Sequence, residues 1–210
     1  MKVVITAGPT REKIDIIRFL SNRSSGKMGY ALAAAAAERG WDVVLVSGPV
    51  NLSAPTGVRL VQVESAAEMA AAVKAEAADA KLLIMAAAVA DFTPKQCCEN
   101  KIKKNSGGMT LELEPTEDIL LSLGRNKPAG QILVGFAAES ENLLTNARDK
   151  MERKNLDWIA ANDISGTDRG FAANDNAVIL LSRDGGTIEF PKDSKKNIAG
   201  KIIGVLEQML

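Results

Sequence analysis

Asn22, Ser24, Ser25, Gly26 and Lys27 stand together near the end of a polar stretch, Gly8–Gly29, that separates a first apolar run from an alanine-rich segment. Backbone N–H groups, two hydroxyls and an ammonium just ahead of a helix can hold a phosphate or carboxylate, because the unpaired amides of a helix start point at it. The same serines could do no more than cap that helix, and Asn22 could simply shape a turn. The pattern alone leaves both readings open. Two standard cradles are excluded. A P-loop requires GxxxxGK[ST], whereas Ser21 stands at the first glycine position and Met28 follows Lys27. A dinucleotide fingerprint requires GxGxxG after the first strand and an acid closing the second, whereas the second run closes with Ser47-Gly48-Pro49. Asn22-Arg23-Ser24 is formally a glycosylation sequon, a chance match in a chain whose first residues lack a signal-peptide apolar region.

Three further stretches carry candidate groups. Ala86-Ala87-Ala88 would let a planar ligand approach the backbone, or would serve close packing, and Asp91 after them is a ligand contact or a solvated acid. Lys101, Lys103 and Lys104 could clamp a polyphosphate, or form a solvated charge run. Phe136 to Glu139 closes another apolar run. Histidine is absent, which disfavours triad hydrolases and zinc enzymes. Tyr30, the one tyrosine, is followed four residues later by Ala34, so the Tyr-x-x-x-Lys pair of short-chain oxidoreductases is missing. Lys+Arg and Asp+Glu each total 26, so no global field favours nucleic acid or an anionic membrane, and aromatics at 4% supply no stacking platform. No run approaches the roughly 20 apolar residues of a membrane span. The only cysteines, Cys97 and Cys98, are adjacent, which points to a reducing, cytoplasmic setting.

The elements that must position these groups follow from periodicity and punctuation. Lys2–Ala7, Asp42–Ser47, Val58–Val63, Lys81–Met85, Gln131–Phe136 and Trp158–Ala161 read as strands, two of them stopped by Gly-Pro. Between them, helices are expected over Lys27–Arg39, from Ser65 (with Glu68 at capping-box spacing) to Ala78, from Thr116 with Glu117 and Asp118 in its first turn, and over Asn142–Lys154. Ala177–Ser182 and Thr187–Phe190 flank Asp184-Gly185-Gly186 as a hairpin, and Ser194–Leu210 closes the chain as an amphipathic helix. Alternation of this kind predicts an α/β fold: a doubly wound, mostly parallel Rossmann-like sheet with a late antiparallel hairpin. Residues 1–210 read as one domain, with the polar segment at about 92–114 projecting as a mobile flap whose tail, Met109–Leu113, alternates like a strand. Ligands of such sheets sit beyond the carboxyl ends of the strands, so Gly8 onward, Ala86–Asp91 and Phe136–Glu139 should meet there.

TAGPTREKIDIIRFLSNRSSGKMG, AAAVADF, NKIKK, GFAAE and RKNLDWIAAND, in that order and across nearly the whole chain, resemble phosphopantothenoylcysteine synthetase (phosphopantothenate–cysteine ligase) of the bacterial, CTP-using type. The resemblance implies a ligase of coenzyme A biosynthesis. In it, 4′-phosphopantothenate attacks the α-phosphate of CTP to give an acyl-cytidylate and pyrophosphate, and L-cysteine then displaces CMP. It implies Mg²⁺ with the nucleotide, a homodimer, and in many bacteria fusion behind a flavin-dependent decarboxylase. By the same resemblance Asn22 engages the acyl-cytidylate, as a donor to its carbonyl, and Lys101 of the flap reaches the nucleotide's phosphates. Met85, Ala86, Ala87, Asp91, Glu117, Asp118, Ile119, Leu120, Phe136, Lys150 and Lys154 fall on nucleotide contacts, beside the phosphate and substrate loop of Gly8, Ser24, Ser25, Gly26 and Lys27. A non-catalytic nucleotide-binding module on the same fold is the alternative; it has no use for both Asn22 and a lysine-bearing flap.

Overall fold

The computed structural model describes residues 1–104, 107–139, 141–163 and 175–210. Six parallel strands form the body of its main sheet: β1 (Lys2–Ala7), β4 (Asp42–Ser47), β5 (Val58–Gln62), β6 (Leu82–Met85), β9 (Ile132–Glu139) and β10 (Trp158–Asp163). Two antiparallel strands, β11 (Asp175–Ser182) and β12 (Thr187–Ser194), complete an eight-stranded sheet in the order β12-β11-β10-β9-β6-β1-β4-β5. The expected doubly wound sheet with a late antiparallel hairpin is the observed one.

Strands covered on both faces must be apolar throughout, and they are. Along β1, Val3 and Ile5 pack towards helices α1 (Lys27–Ala37) and α5 (Lys195–Glu207), with Leu32, Ala36, Ile198 and Ile202. Val4 faces the opposite way, into the layer that holds Met69 and Val73 of α2 (Ala66–Ala77), Leu123 of α3 (Ile119–Arg125) and Met151 of α4 (Leu143–Arg153). Half of the capping box expected for α2 forms: Ser65 Oγ accepts from the Glu68 amide, while Glu68 Oε2 accepts from the amide of Glu64, one residue before the cap.

The direction of β12 decides where the last helix begins. It runs antiparallel to β11, which runs antiparallel to β10, so β12 ends on the same side as the parallel strands. The chain therefore enters α5, capped by Ser194, at the edge where β1 also delivers it to α1.

Several local expectations are corrected. Gly8–Gly29 is not an open loop: β2 (Arg11–Lys13) and β3 (Phe19–Ser21) pair within it, closed by Asp15, whose carboxylate accepts the Ile17 and Arg18 amides at 2.8 Å each. Neither Ser24 nor Ser25 caps α1; its N-cap is Gly26 at φ 74°, with no side-chain cap, a left-handed conformation that favours glycine. The third helix starts two residues later than Thr116, because Asp118 takes the N-cap by accepting from the Leu121 amide while the Thr116 hydroxyl donates to the Ala90 carbonyl. In the polar arm, strand structure falls at its two ends, where β7 (Phe92–Pro94) pairs with β8 (Leu113–Pro115), so that of the expected Met109–Leu113 strand only Leu113 is in one.

Gly124 fixes how closely α3 meets the end of α4. A Cβ there would lie 1.9 Å from the Lys154 carbonyl oxygen, and Asn155 Nδ2 donates to the Gly124 carbonyl at 2.7 Å. Gly124→Ala gains helix propensity, about 1 kcal/mol, but forces backbone to move and should cost a net ~1–3 kcal/mol. Urea unfolding checks this; an unchanged or higher midpoint would mean that the two helices are not locked at this point.

Candidate functional site

The exits of β1 and β6 are stitched together by backbone. The Ala88 amide donates to the Gly8 carbonyl at 2.9 Å, and the Thr10 amide to the Ala88 carbonyl at 3.4 Å. Two fully buried threonines tighten the seam, Thr6 Oγ1 accepting from the Ala87 amide and Thr10 Oγ1 from the Ala90 amide. Asn22 Nδ2 donates to the carbonyls of Ala88 and Val89 at 3.1 Å each. The amide nitrogen expected to face a ligand's carbonyl thus holds the alanine loop in this structure.

Over this seam lies a cleft of about 410 Å³ at the carboxyl ends of the strands. It brings together Asn22, Ser24, Ser25, Gly26, Lys27, Met85, Ala86, Ala87, Asp91, Glu117, Asp118, Ile119, Leu120, Phe136, Lys150 and Lys154. Gly8 sits behind the wall, its Cα packed under Gly26. Lys101 does not line the cleft and is exposed. Its neighbour Ile102 is anchored elsewhere: the Ile102 amide donates to Asp15 Oδ2 at 3.1 Å, and Arg18 Nη2 donates to the Ile102 carbonyl at 2.5 Å. A larger hollow, about 810 Å³, lies beyond Ser24, Ser25 and Lys27 at the ends of β4 and β5. None of the Ala86–Asp91 or Phe136 groups reaches it.

Charge in the cleft is arranged by helix ends. Lys154, at the C-cap of α4, pairs with Asp118 at the N-cap of α3 at 2.7 Å. Burial opposes charge on Asp118, but Lys154, the Leu121 amide and Lys150 outweigh it and hold its carboxyl below the usual range. Glu117 is held low chiefly by its hydrogen bond to Lys74. Lys150 donates to the Phe136 carbonyl at 2.8 Å, tying α4 to the end of β9. These pairings hold the acids charged and fix lysine side chains beside them on the wall of the cleft. Among the described residues, no group of three or more His, Cys, Asp or Glu stands ready to hold a metal ion.

Sequence reasoning missed Thr6, Thr116, Asn162, Asn176 and Lys195, all of which line the cleft. Only their position beside strand ends could have flagged them, and for Asn176 and Lys195 that position depends on the course of β11 and β12.

Fold and cleft define a doubly wound α/β domain that receives its ligand beyond the carboxyl ends of parallel strands. Residues 1–210 match the family described as DNA/pantothenate metabolism flavoprotein C-terminal domain, and the chain belongs to that family. It is 50% identical over 202 residues to the coenzyme A biosynthesis bifunctional protein CoaBC of Bacillus subtilis (strain 168), covering 96% of this chain and 50% of that protein. The protein of the same name from Vibrio cholerae (strain El Tor Inaba N16961) is 44% identical over 211 residues, covering 100% of this chain and 53% of the relative. The crystal structure of the C-terminal domain of coenzyme A biosynthesis bifunctional protein CoaBC superposes with a TM-score of 0.85 at 43% identity, over 99% of this chain and 94% of that one. The chain thus spans about half the length of the curated relatives it matches.

Asp15 lets the anchorage of Ile102 be tested by pH. Burial works against its charge, but the amides of Ile17, Arg18 and Ile102 and the Arg18 guanidinium overcome this and lower its pKa. A depressed carboxyl contributes stability above its unfolded pKa, about 4, and loses it as pH falls through the lower folded value. Asp15→Asn should therefore be less stable than wild type at neutral pH, with the gap closing below about pH 4. Urea titrations at several pH values read it; a gap that stays constant into strong acid would rule out the charge as the cause.

Proposed function

We propose that this chain is the ligase domain that joins 4′-phosphopantothenate to L-cysteine at the expense of CTP, releasing pyrophosphate and then CMP. One observation carries the reading: Asn22 and the alanine loop Ala86–Val89 are built into one another in the floor of the cleft, below the lysines of α1 and α4. The 50% identity to a coenzyme A biosynthesis bifunctional protein supports it. In the first half-reaction a carboxylate oxygen of phosphopantothenate attacks the α-phosphorus of CTP, and the bond to pyrophosphate breaks. The attacking carboxylate is already ionised, so the protein need only position it and offset charge, which suits a chain without histidine. In the second, cysteine's amine attacks the acyl carbon and the acyl–oxygen bond to CMP breaks.

Ala86, Ala87 and Asp91, with Glu117–Leu120 and Phe136 opposite, are the surface we assign to the nucleotide; Lys150 and Lys154 bring fixed cations to it. Asn22 orients the acyl-cytidylate and its oxygen accepts a hydrogen bond from the incoming amine, whose proton passes to solvent. Mg²⁺ suits a triphosphate and, with no acid cluster among the described residues, would be held by phosphate oxygens and water. When bound it supplies charge neutralisation. The whole chain acts as one domain, in the cytoplasm and as a homodimer. Ile16, Ile17, Phe19 and Phe92 leave 72%, 57%, 43% and 52% of their surface exposed on the β2–β3 hairpin and the base of the arm, a candidate face for it. A flavin-dependent decarboxylase is the proposed partner, in keeping with the bifunctional names and greater length of the relatives.

CTP-dependent pyrophosphate release, measured with and without phosphopantothenate and then with ATP in place of CTP, tests the reaction against a non-catalytic nucleotide-binding module, which would release none. Asn22→Asp places a carboxylate against the Ala88 and Val89 carbonyls, and should slow CMP release with cysteine more than it slows pyrophosphate release. Wild-type CMP release would remove Asn22 from the second step. For Lys101 to act, the segment around Ile102 must leave Asp15 and Arg18 and bring the lysine over the cleft. Lys101→Gln should then lower kcat/KM for CTP by about 10²–10³, the effect of losing one transition-state contact. Unchanged kinetics across CTP concentrations would leave Lys101 a solvated charge.

A further inference from the structure

Cys97 and Cys98 are the two cysteines of the chain, and both are free and exposed. They sit side by side on the limb of the arm that the body of the domain holds. Just before them, the Lys95 amide donates to the Glu112 carbonyl at 3.0 Å, at the end of the β7–β8 ladder. Just after them, Ile102 is held by Asp15 and Arg18. Between these points the Cys98 amide donates to the Ile14 carbonyl at 3.1 Å. Ile14 is buried, and its own amide donates to the Arg18 carbonyl at 2.8 Å across the β2–β3 turn. The arm is thus hooked to that one turn at Cys98 as well as at Ile102.

The hook at Cys98 is part of the link between the two cysteines. The N–H that reaches Ile14 belongs to the Cys97–Cys98 peptide, and Cys97 Sγ lies 3.9 Å from the Cys98 carbonyl oxygen. A disulfide between sequence neighbours closes a small ring that contains this peptide. Neighbouring Cα atoms stand about 3.8 Å apart across an ordinary peptide, whereas an unstrained disulfide spans about 4.4–6.8 Å. The ring closes only by twisting the peptide out of its preferred plane, and the twist turns the N–H away from the Ile14 carbonyl.

We infer that Cys97 and Cys98 are a modification site: a dithiol that a low-molecular-weight disulfide converts reversibly into a Cys97–Cys98 disulfide, unhooking the arm from Ile14. One thiolate attacks the reagent's sulfur–sulfur bond, forming a mixed disulfide and releasing one thiol. The neighbouring thiolate then attacks the protein sulfur of that mixed disulfide, the Cys97–Cys98 bond forms, and the second thiol leaves. The pair gives up two electrons and two protons, and the reagent takes them as two thiols. Ring strain and the lost hydrogen bond both favour return to the dithiol, which makes this bond a labile, regulatory one and not a brace. None of this rests on the ligase reading. Its bearing on that reading is that the arm released is the one that carries Lys101.

Equilibration of the whole chain in buffers of glutathione and glutathione disulfide tests the site, with thiol counting and intact mass as readouts. Wild type should lose both thiols together, fall in mass by two hydrogens and keep no glutathione. Cys97→Ser and Cys98→Ser should each hold one glutathione, because the attacking neighbour is gone. Hydrogen exchange then reads the hook: in the oxidised protein the Cys98 amide should exchange about twofold to tenfold faster, after correction for its intrinsic rate, and a reductant should restore it. The urea midpoint should fall on oxidation and recover with it, since a ring between neighbours restrains almost none of the unfolded chain. Two thiols that resist oxidation, a glutathione adduct that persists on wild type, or a disulfide between chains overturns the site. An oxidised form with unchanged Cys98 protection overturns the unhooking.

Discussion

The seam between the exits of β1 and β6 is the constraint on which the cleft depends. Parallel strands leave their terminal amides and carbonyls unpaired at the sheet edge, and here those groups satisfy one another across two loops distant in sequence. Ala88 pairs with Gly8 and Thr10, while Thr6 and Thr10 pair with the amides of Ala87 and Ala90. Little of the loop backbone is then free to relax, so the floor of the cleft is rigid before any ligand arrives. Rigidity of that kind spares a bound ligand the entropy of assembling its surface. Asn22 belongs to the seam through its amide nitrogen and also lines the cleft, so one side chain joins the loop to the cavity wall.

Much of this architecture was legible along the chain. The parallel strands are short apolar runs with abrupt stops, because strands buried on both faces leave no other composition open, and their bounds shift only by a residue or two except at the end of β9. What was not legible depends on contacts across long separations. Arg-Glu-Lys and Phe-Leu-Ser carry no strand pattern; they pair because Asp15 closes the turn and, through Arg18, holds Ile102 some 84 residues away. Asp118 displaced Thr116 as the helix start because the Thr116 hydroxyl was already committed to Ala90, a competition that local propensity does not register.

The site followed the same division. The three strand exits that looked unusual do converge, since their placement follows from the sheet alone. Roles were harder. Ser24 and Ser25 reach the cleft without capping α1, because Gly26 in a left-handed conformation lets the chain turn into the helix and leaves the serines at the wall. Lys101 falls where the arm is anchored and not where the cleft is, a separation that spacing cannot reveal.

Lys195 shows the limit most clearly. On an amphipathic helix a leading lysine reads as a solvated end, and it would be one if α5 began at the opposite edge of the sheet. The late hairpin prevents that. Because β11 and β12 reverse the chain twice, α5 starts beside α1, and both first residues are lysines. A terminal hairpin that looks like edge protection thereby decides which residues close that side of the cleft. Acids pair with lysines on the α3–α4 side of the cleft, and Lys27 and Lys195 stand at the helix starts on its α1–α5 side.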